Sequence, residues 1–263
     1  MLADRKNSSV ENALLILKSF SLEEPEMGVT ELAEKLGVAK STIHRLVSTM
    51  ASEGFVYKNP YTNRYSLGAS ILALTHTIHK QITIIQEATP VLNLLTEKTG
   101  ESSYLAIVEN KEIIYLSKIE GEYPADDQTY LGKRNPLHCT SSGQVLLAFL
   151  REDAIGELLE DEAKRFTANT LTTKAEIGKR LQQVARQGYA LCDQEFIKGI
   201  VSISAPVRDE KNEVIAAVTI TGPVERLGSQ AVQKEMIEKT VEAGKTLSEI
   251  IKKRRAGRSK KAK

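Results

Sequence analysis

Apolar residues recur with helical spacing through the first third of the chain. Ile43, Leu46, Val47 and Met50 stand at i, i+3, i+4 and i+7, which predicts a helix from about Lys40 to Glu53 with one buried stripe. Leu32, Ala33 and Leu36 mark a shorter helix just before it, stopped by Gly37. Val10, Ala13, Leu14, Leu17 and Phe20 mark a first helix, opened by Ser8 with Glu11 three residues on, the pattern of a capping box. The period then changes. Phe55–Lys58 and Arg64–Leu67 alternate as strands do, around the turn-rich tip Asn59-Pro60-Tyr61-Thr62-Asn63. Residues 8–68 therefore read as three helices and a hairpin, a winged helix-turn-helix.

Ala69–Glu87 reads as one long linker helix, whose apolar residues exceed what one small domain can cover. A seam with a second copy, through residues 71–85, is expected. Beyond it, residues 88–251 alternate helices with about five strands and predict an α+β domain with helices at both ends of its sheet. Its strands are expected at 103–108 and 112–119, joined by Glu109-Asn110-Lys111, and at 189–192, 199–207 and 214–221. Charged helices are expected at 152–164 and 174–187, an irregular polar loop at 121–132, and a last helix at 229–251 with Val232, Met236, Val241 and Leu247 inward. The tail 252–263 carries eight Lys and Arg and no acid, and is read as disordered.

The polar face of the Lys40–Glu53 helix changes the reading from fold to function. It presents Lys40, Ser41, Thr42, His44, Arg45, Ser48 and Thr49, and no acid before Glu53. Hydroxyls and a guanidinium at a helix N-terminus can read base edges in a major groove, and Lys40 can meet phosphate. Lys58, Tyr61 and Arg64 on the hairpin are placed to touch the DNA backbone or minor groove as a wing does. A two-helix piece of another all-α core would explain the turn alone; the hairpin directly after it favours DNA.

Composition adds little. The chain has 263 residues and a net charge of +2, so without its tail the remainder sums to about −6, and DNA binding must come from a local surface and from pairing two copies. Cys139 and Cys192 form no disulfide framework, and neither a signal peptide nor a membrane span is apparent; the cytoplasm is the expected compartment. His76 and His79 share a helix face without the further ligands a metal site needs, and no cofactor motif is found. His138, Cys139 and Ser141 are the one constellation that suggests a hydrolase. Adjacent residues seldom face each other, and no Gly-x-Ser-x-Gly elbow is present. Asp193 and Glu195 are a candidate carboxylate pair or simply strand residues. Thr140, Ser141 and Ser142 precede a helix whose free N–H groups favour an anion, with Leu105, Ile107 and Ile203 as candidate apolar wall.

Nearly the whole chain, from Val10 to about Ile251, resembles the IclR family of bacterial transcription regulators. The resemblance is carried by Val29-Thr30-Glu31-Leu32-Ala33 with Ser41-Thr42-Ile43-His44-Arg45-Leu46, by Pro136-Leu137-His138-Cys139-Thr140-Ser141-Ser142-Gly143, by Gly188, Glu195, Ser202-Ile203-Ser204 and Asp209, and by Thr219–Pro223. Cys192 replaces a usual Asp or Ser, Arg208 a usual aromatic, and Ala39 a Ser that caps the reading helix in many members; losing such a cap costs ~1 kcal/mol unless Ser41 takes the role. The resemblance implies a GAF-like effector-binding domain, a homodimer or dimer of dimers on a palindromic operator, most often repression, and a small organic-acid effector. The residues matching the family's pocket are Ser141, Ser142, Cys192, Ser202, Thr219 and Thr221. The alternative is a winged-helix DNA-binding protein without an effector.

Overall fold

The structure is a computed structural model that describes residues 8–21, 23–123, 131–150, 155–156, 158–159 and 162–261, with backbone alone at 79, 80 and 255–261. The chain divides into two compact units, residues 1–81 and 82–263.

In the first unit α1 (Ser9–Ser19) starts at the expected capping box, with Glu11 N–H donating to Ser8 Oγ at 3.1 Å and Ser8 N–H to Glu11 Oε2 at 2.7 Å. Its inward face is rotated from the one expected. Ile16, Phe20 and Asn12 are buried, while Val10 and Leu14 are 69% and 52% exposed. Helix α2 (Val29–Leu36) ends at Gly37, whose φ of 64° is left-handed. Helix α3 (Lys40–Ser52) buries Ile43, Val47 and Met50 against Ile16, Leu32 and Tyr65. Strands β1 (Val56–Lys58) and β2 (Tyr65–Leu67) pair with Val56 opposite Leu67, and Tyr65 also bridges Met27, so the wing is anchored to the helical core. Helix α4 (Ser70–Gln81) is tied to the end of α3 by the Ser70 hydroxyl, which donates to the Glu53 carbonyl at 2.9 Å.

The linker is not one helix to residue 87. It breaks at Ile82 (φ −86°, ψ 82°), and α5 (Thr83–Thr99) begins there, with Pro90 inside it. Ile82-Thr83-Ile84-Ile85 is a run of β-branched residues that lose side-chain freedom in a helix, a local weakness where the break falls.

The second unit contains β3 (Ser102–Glu109), β4 (Glu112–Ile119), β5 (Arg134–Asn135), α6 (Ser141–Ala148), α7 (Lys174–Gln187), β6 (Ala190–Asp193), β7 (Ile200–Arg208), β8 (Val214–Pro223), α8 (Val224–Leu227) and α9 (Gln230–Lys261). Among the described residues six strands, one more than expected because of the short β5, form an antiparallel sheet in the order β5-β4-β3-β8-β7-β6. The β3–β4 turn places Asn110 and Lys111 at φ 52° and 65°, as a two-residue hairpin requires.

Helices cover both faces of this sheet, not its ends. On one face Leu105, Ile203, Val218 and Ile220 pack against Leu92 and Leu95 of α5 and Met236 and Leu247 of α9. On the other Tyr104, Ala106, Tyr115 and Ala217 pack against Val145 and Leu147 of α6 and Leu181 and Val184 of α7. That double cover explains why β8 is buried along most of its length, on both faces.

The last helix does not stop at Ile251. Its inward residues are Met236, Thr240, Ala243, Leu247 and Ile251, whereas Val232 and Val241 are half-buried. The backbone stays helical to Lys261, through the segment read as a disordered tail. Ile251 is 1% exposed and Arg254 lies against Glu87 of α5, so packing continues past the expected boundary. The expected helix at 152–164 and loop at 121–132 fall partly outside the described residues; Glu162, within that range, forms a bridge with Thr173 instead of a helical turn.

Candidate functional site

Two surfaces carry the candidate residues, one in each unit. On α3, Lys40, Ser41, His44, Arg45, Ser48 and Thr49 are exposed and Thr42 is half-buried. The Ser48 and Thr49 hydroxyls donate back to the carbonyls of His44 and Arg45, at 2.7 and 3.1 Å, which fixes their rotamers and leaves lone pairs outward. Ala39 precedes the helix with no side-chain cap, and Ser41 does not supply one. The first N–H groups of α3 therefore join the exposed polar face.

The hairpin side chains differ in how freely they face outward. Tyr61 at its tip is 93% exposed, and Lys58 is exposed with its ammonium 5.9 Å from the Tyr65 ring. Arg64 is part-exposed and already engaged within the unit. Its guanidinium donates to Glu31 at 3.0 Å and to the Glu26 carbonyl at 2.9 Å. Glu31 also accepts from Gly28 N–H at 2.7 Å. Those bonds, first the one from Gly28 and then the pair with Arg64, hold the Glu31 carboxyl below its ordinary range. Arg64 thus braces wing to helix, a role hidden from the sequence because the partners stand 33 residues apart.

In the second unit the chain from Pro136 to Gly143 turns tightly into α6. Gly143 is required there, since a Cβ would lie 2.1 Å from the Leu137 carbonyl oxygen. Thr140 caps the helix, its Oγ1 accepting from Gly143 N–H at 3.2 Å while its hydroxyl donates to the Pro136 carbonyl at 2.7 Å. Ser141 follows, with its Oγ 2.9 Å from that of Ser202 and 2.7 Å from that of Ser204. Ser204 continues to Thr219 at 2.7 Å. A chain of hydroxyls thus runs from the N-terminus of α6 across β7 to β8.

This chain floors a cavity of about 40 Å³. Ser141, Cys192, Ser202, Thr219 and Thr221 all line it, and so do Tyr115 and Asn135. Ser142 does not; its hydroxyl lies 3.4 Å from the Tyr115 phenol. The expected wall of Leu105, Ile107 and Ile203 is on the opposite face of the sheet, because residues one apart on a strand point opposite ways. Phe196, Ile197 and Ile200 make the wall instead. A cavity of this size holds only a few waters, so a ring-sized ligand requires its lining to move.

Among the described residues one charged group, Glu195, lines the cavity, and no Lys or Arg does. Glu195 is 4% exposed, accepting from Gln144 Nε2 at 2.7 Å and Arg180 Nη1 at 2.7 Å. Asp193 is exposed, so the two carboxylates do not form a pair. Burial, and then the Glu195 charge, push the thiols of Cys139 and Cys192 well above the usual range. Both stay protonated and are poor nucleophiles. His138 bonds the Lys164 carbonyl through Nε2 at 2.9 Å and lines a different cavity from Ser141. The hydrolase constellation is therefore not assembled. Arg208 stacks on Phe149 at 4.4 Å, which accommodates the cation in place of the usual aromatic. His76 is exposed on α4, and the side chain of His79 lies outside the described residues. Among the described residues no helix is long and apolar enough to cross a membrane.

Comparison with known proteins matches both units. Residues 9–60 match the IclR helix-turn-helix domain, and residues 76–249 the bacterial transcriptional regulator IclR C-terminal domain. The chain is 33% identical to the HTH-type transcriptional regulator XynR of Escherichia coli K12, over 92% of this chain and 96% of that one. It is 32% identical to KdgR of the same organism, over 88% and 89%. The Thermotoga maritima IclR structure superposes with a TM-score of 0.78 at 25% identity, covering 92% of this chain and 98% of that one. An IclR homolog from Microbacterium hydrocarbonoxydans, complexed with 4-hydroxybenzoate, has the same fold, with a TM-score of 0.81 at 22% identity over 92% and 98%. The chain belongs to the IclR family of bacterial transcriptional regulators.

Proposed function

We propose that α3 reads the major groove of a palindromic operator and that the hydroxyl-floored cavity binds a small organic acid that modulates this binding. Ser41, Thr42, His44 and Arg45 face base edges, with Ser48 beside them, and Lys40 and Lys58 meet phosphate. The observation that carries the effector reading is the buried line of hydroxyls from Ser202 through Ser141 and Ser204 to Thr219. With no cation among the described residues that line the cavity, a carboxylate would be held by hydroxyls and by the N–H groups that open α6. Cys192, in place of a usual acid or serine, softens one wall and favours a less polar acid. The complex of a family relative with 4-hydroxybenzoate supports an organic acid.

A second copy is proposed to cover α4. Leu72, Leu74 and Ile78 are 72%, 52% and 50% exposed. The seam is shorter than the 71–85 expected, because Ile85 is buried in the second unit. A two-fold dimer lets two α3 helices read two half-sites. Ile78→Glu should give a monomer in sedimentation, with operator binding lost at concentrations where the wild type binds; a monomeric wild type at micromolar concentration removes the proposal.

The effector test is a thermal-shift screen of small carboxylates, aromatic acids and sugar acids on the full chain. A binder should raise the melting temperature with its concentration, and Ser202→Ala or Thr221→Val should each weaken it. Absence of any saturating binder favours the alternative, a DNA-binding protein without an effector, for which the small volume of the cavity speaks.

A further inference from the structure

The tip of the wing is stiff in itself. Asn59 Oδ1 accepts from the N–H groups of Tyr61 and Thr62 at 3.0 and 3.3 Å. The Asn63 N–H donates to the Asn59 carbonyl, and the Asn59 N–H to the Arg64 carbonyl, both at 2.9 Å. The base is fixed as well. Val56 and Tyr65 are buried, and Tyr65 exchanges two backbone bonds of 2.8 Å with Met27. Between them the ribbon leaves the core, and none of residues 57–64 is buried. A two-stranded ribbon alone has little to fix its direction beyond its base.

Arg64 supplies a second anchor, one residue outward from that base. Nη1 donates to Glu31 Oε1 at 3.0 Å while Nη2 lies 2.8 Å from Glu31 Oε2. A planar guanidinium can make that two-point grip and an ammonium cannot. Nη2 also donates to the Glu26 carbonyl at 2.9 Å. Glu31 is itself held at the start of α2 by the Gly28 N–H at 2.7 Å, and α2 packs on α3 in one core through Leu32 and Ile43. Among the described residues, every hydrogen bond from 58–64 to the unit outside the hairpin comes from Arg64.

We infer that Arg64 is a positioning residue for DNA recognition: its grip on Glu31 sets the angle between wing and α3, so that Lys58 reaches the backbone while α3 reads the groove. This rests on the proposed reading of α3 and the wing as the DNA surface. A wing held beforehand avoids an ordering cost that a loose one meets on binding. The grip also fixes the sign of an acid's effect. By charge alone Glu31 repels phosphate and competes for Arg64; as the anchor of the wing it raises affinity.

The test is fluorescence anisotropy, at several salt concentrations, with the duplex that the full chain selects from a random-sequence DNA pool. Glu31→Gln removes a negative charge, keeps an oxygen to cap α2, and sets an amide donor against the guanidinium. It should weaken binding roughly fivefold, the scale of ordering one or two side chains. Arg64→Lys keeps the cation without the two-point grip and should weaken binding alike. Both should lower the salt slope by about one phosphate, the one that Lys58 meets. On a Lys58→Ala background neither should cost more, a coupling that a general loss of stability does not produce. Arg45→Ala reports separately on the groove: if it is silent, the DNA reading itself fails. If it weakens binding, three outcomes overturn the positioning role alone. They are Glu31→Gln binding as tightly as the wild type or tighter, as an Arg64 freed for phosphate gives; Arg64→Lys binding as the wild type does; or losses that simply add to that of Lys58→Ala.

Discussion

The two units place their functional chemistry in opposite ways. In the first the candidate residues stand on the exposed face of one helix, and burial is left to the other face, Ile43, Val47 and Met50. In the second they are buried: Ser141, Ser204 and Thr219 are 1%, 0% and 2% exposed and bond one another. An exposed polar face costs little when no partner is present, because water satisfies it. A buried hydroxyl must be satisfied within the fold, so its partners come from distant elements. Damage to the first kind of site therefore lowers affinity alone, whereas damage to the second also threatens the fold.

That contrast can be broken most forcefully at each core. Leu32→Ala removes a fully buried side chain from the first unit and should destabilise it by ~2–5 kcal/mol. Operator binding should fall while ligand-induced thermal shifts of the second unit persist. Gly143→Ala drives a Cβ into the Leu137 carbonyl and should cost ~3 kcal/mol in the second unit. Its scanning calorimetry should show the second unit melting earlier; an unchanged trace would contradict the packing described for α6.

A smaller effect sharpens the exposed half. Arg45→Ala should cost ~1–3 kcal/mol of operator affinity and relax preference at one base pair, whereas Lys58→Ala should weaken all sequences alike and reduce the salt slope. Anisotropy titrations on operator and scrambled DNA separate the two. Equal losses on both DNAs for Arg45→Ala would mean that it meets phosphate instead. The tail sits at this level too. Deleting residues 255–263 should lower nonspecific binding at low salt and leave operator preference unaltered.

The smallest effect concerns acid. Because folding lowers the Glu31 carboxyl, its bonds to Gly28 and Arg64 contribute stability above the ordinary carboxylate range and lose it as pH falls through the lowered value. Amide exchange at the start of α2 should quicken in that acid window, and Glu31→Gln should show no such window.

Periodicity made the first unit legible. The α3 stripe, the hairpin and the Gly37 stop each follow from local spacing. In α1 it misplaced the face by one position, because polar Asn12 is buried and Val10 and Leu14 are not. Of the hydroxyl-floored cavity the residues alone gave the start of α6, and the family resemblance gave Cys192, Ser202, Thr219 and Thr221. Alternation on β7 carries Ser202 and Ser204 to one side, so Ser204 was within reach of the pattern. Tyr115 and Asn135 were not, since only the sheet order β5-β4-β3 brings them to the cavity. Leu105 and Ile203 were misassigned because a strand buried on both faces gives apolar residues no direction. The linker break and the helical continuation of α9 escaped for other reasons. The break falls in the β-branched run 82–85, whose lowered helix propensity was outweighed by the apolar spacing, and the continuation of α9 is accompanied by contacts with α5 such as Arg254 with Glu87.

The central claim is that the two units divide the work, one reading DNA and the other sensing an acid. Its most direct test is operator affinity for wild type, Arg45→Ala and Ser202→Ala, each with and without an acid found in the thermal-shift screen. Binding at the two sites must be linked reciprocally if the acid regulates. The account predicts that the acid changes wild-type operator affinity and that Ser202→Ala binds operator as the wild type does but no longer responds. It also predicts that Arg45→Ala binds operator weakly while its melting temperature still rises with the acid. A Ser202→Ala protein that responds fully to the acid, or an Arg45→Ala protein with undiminished operator affinity, would contradict it.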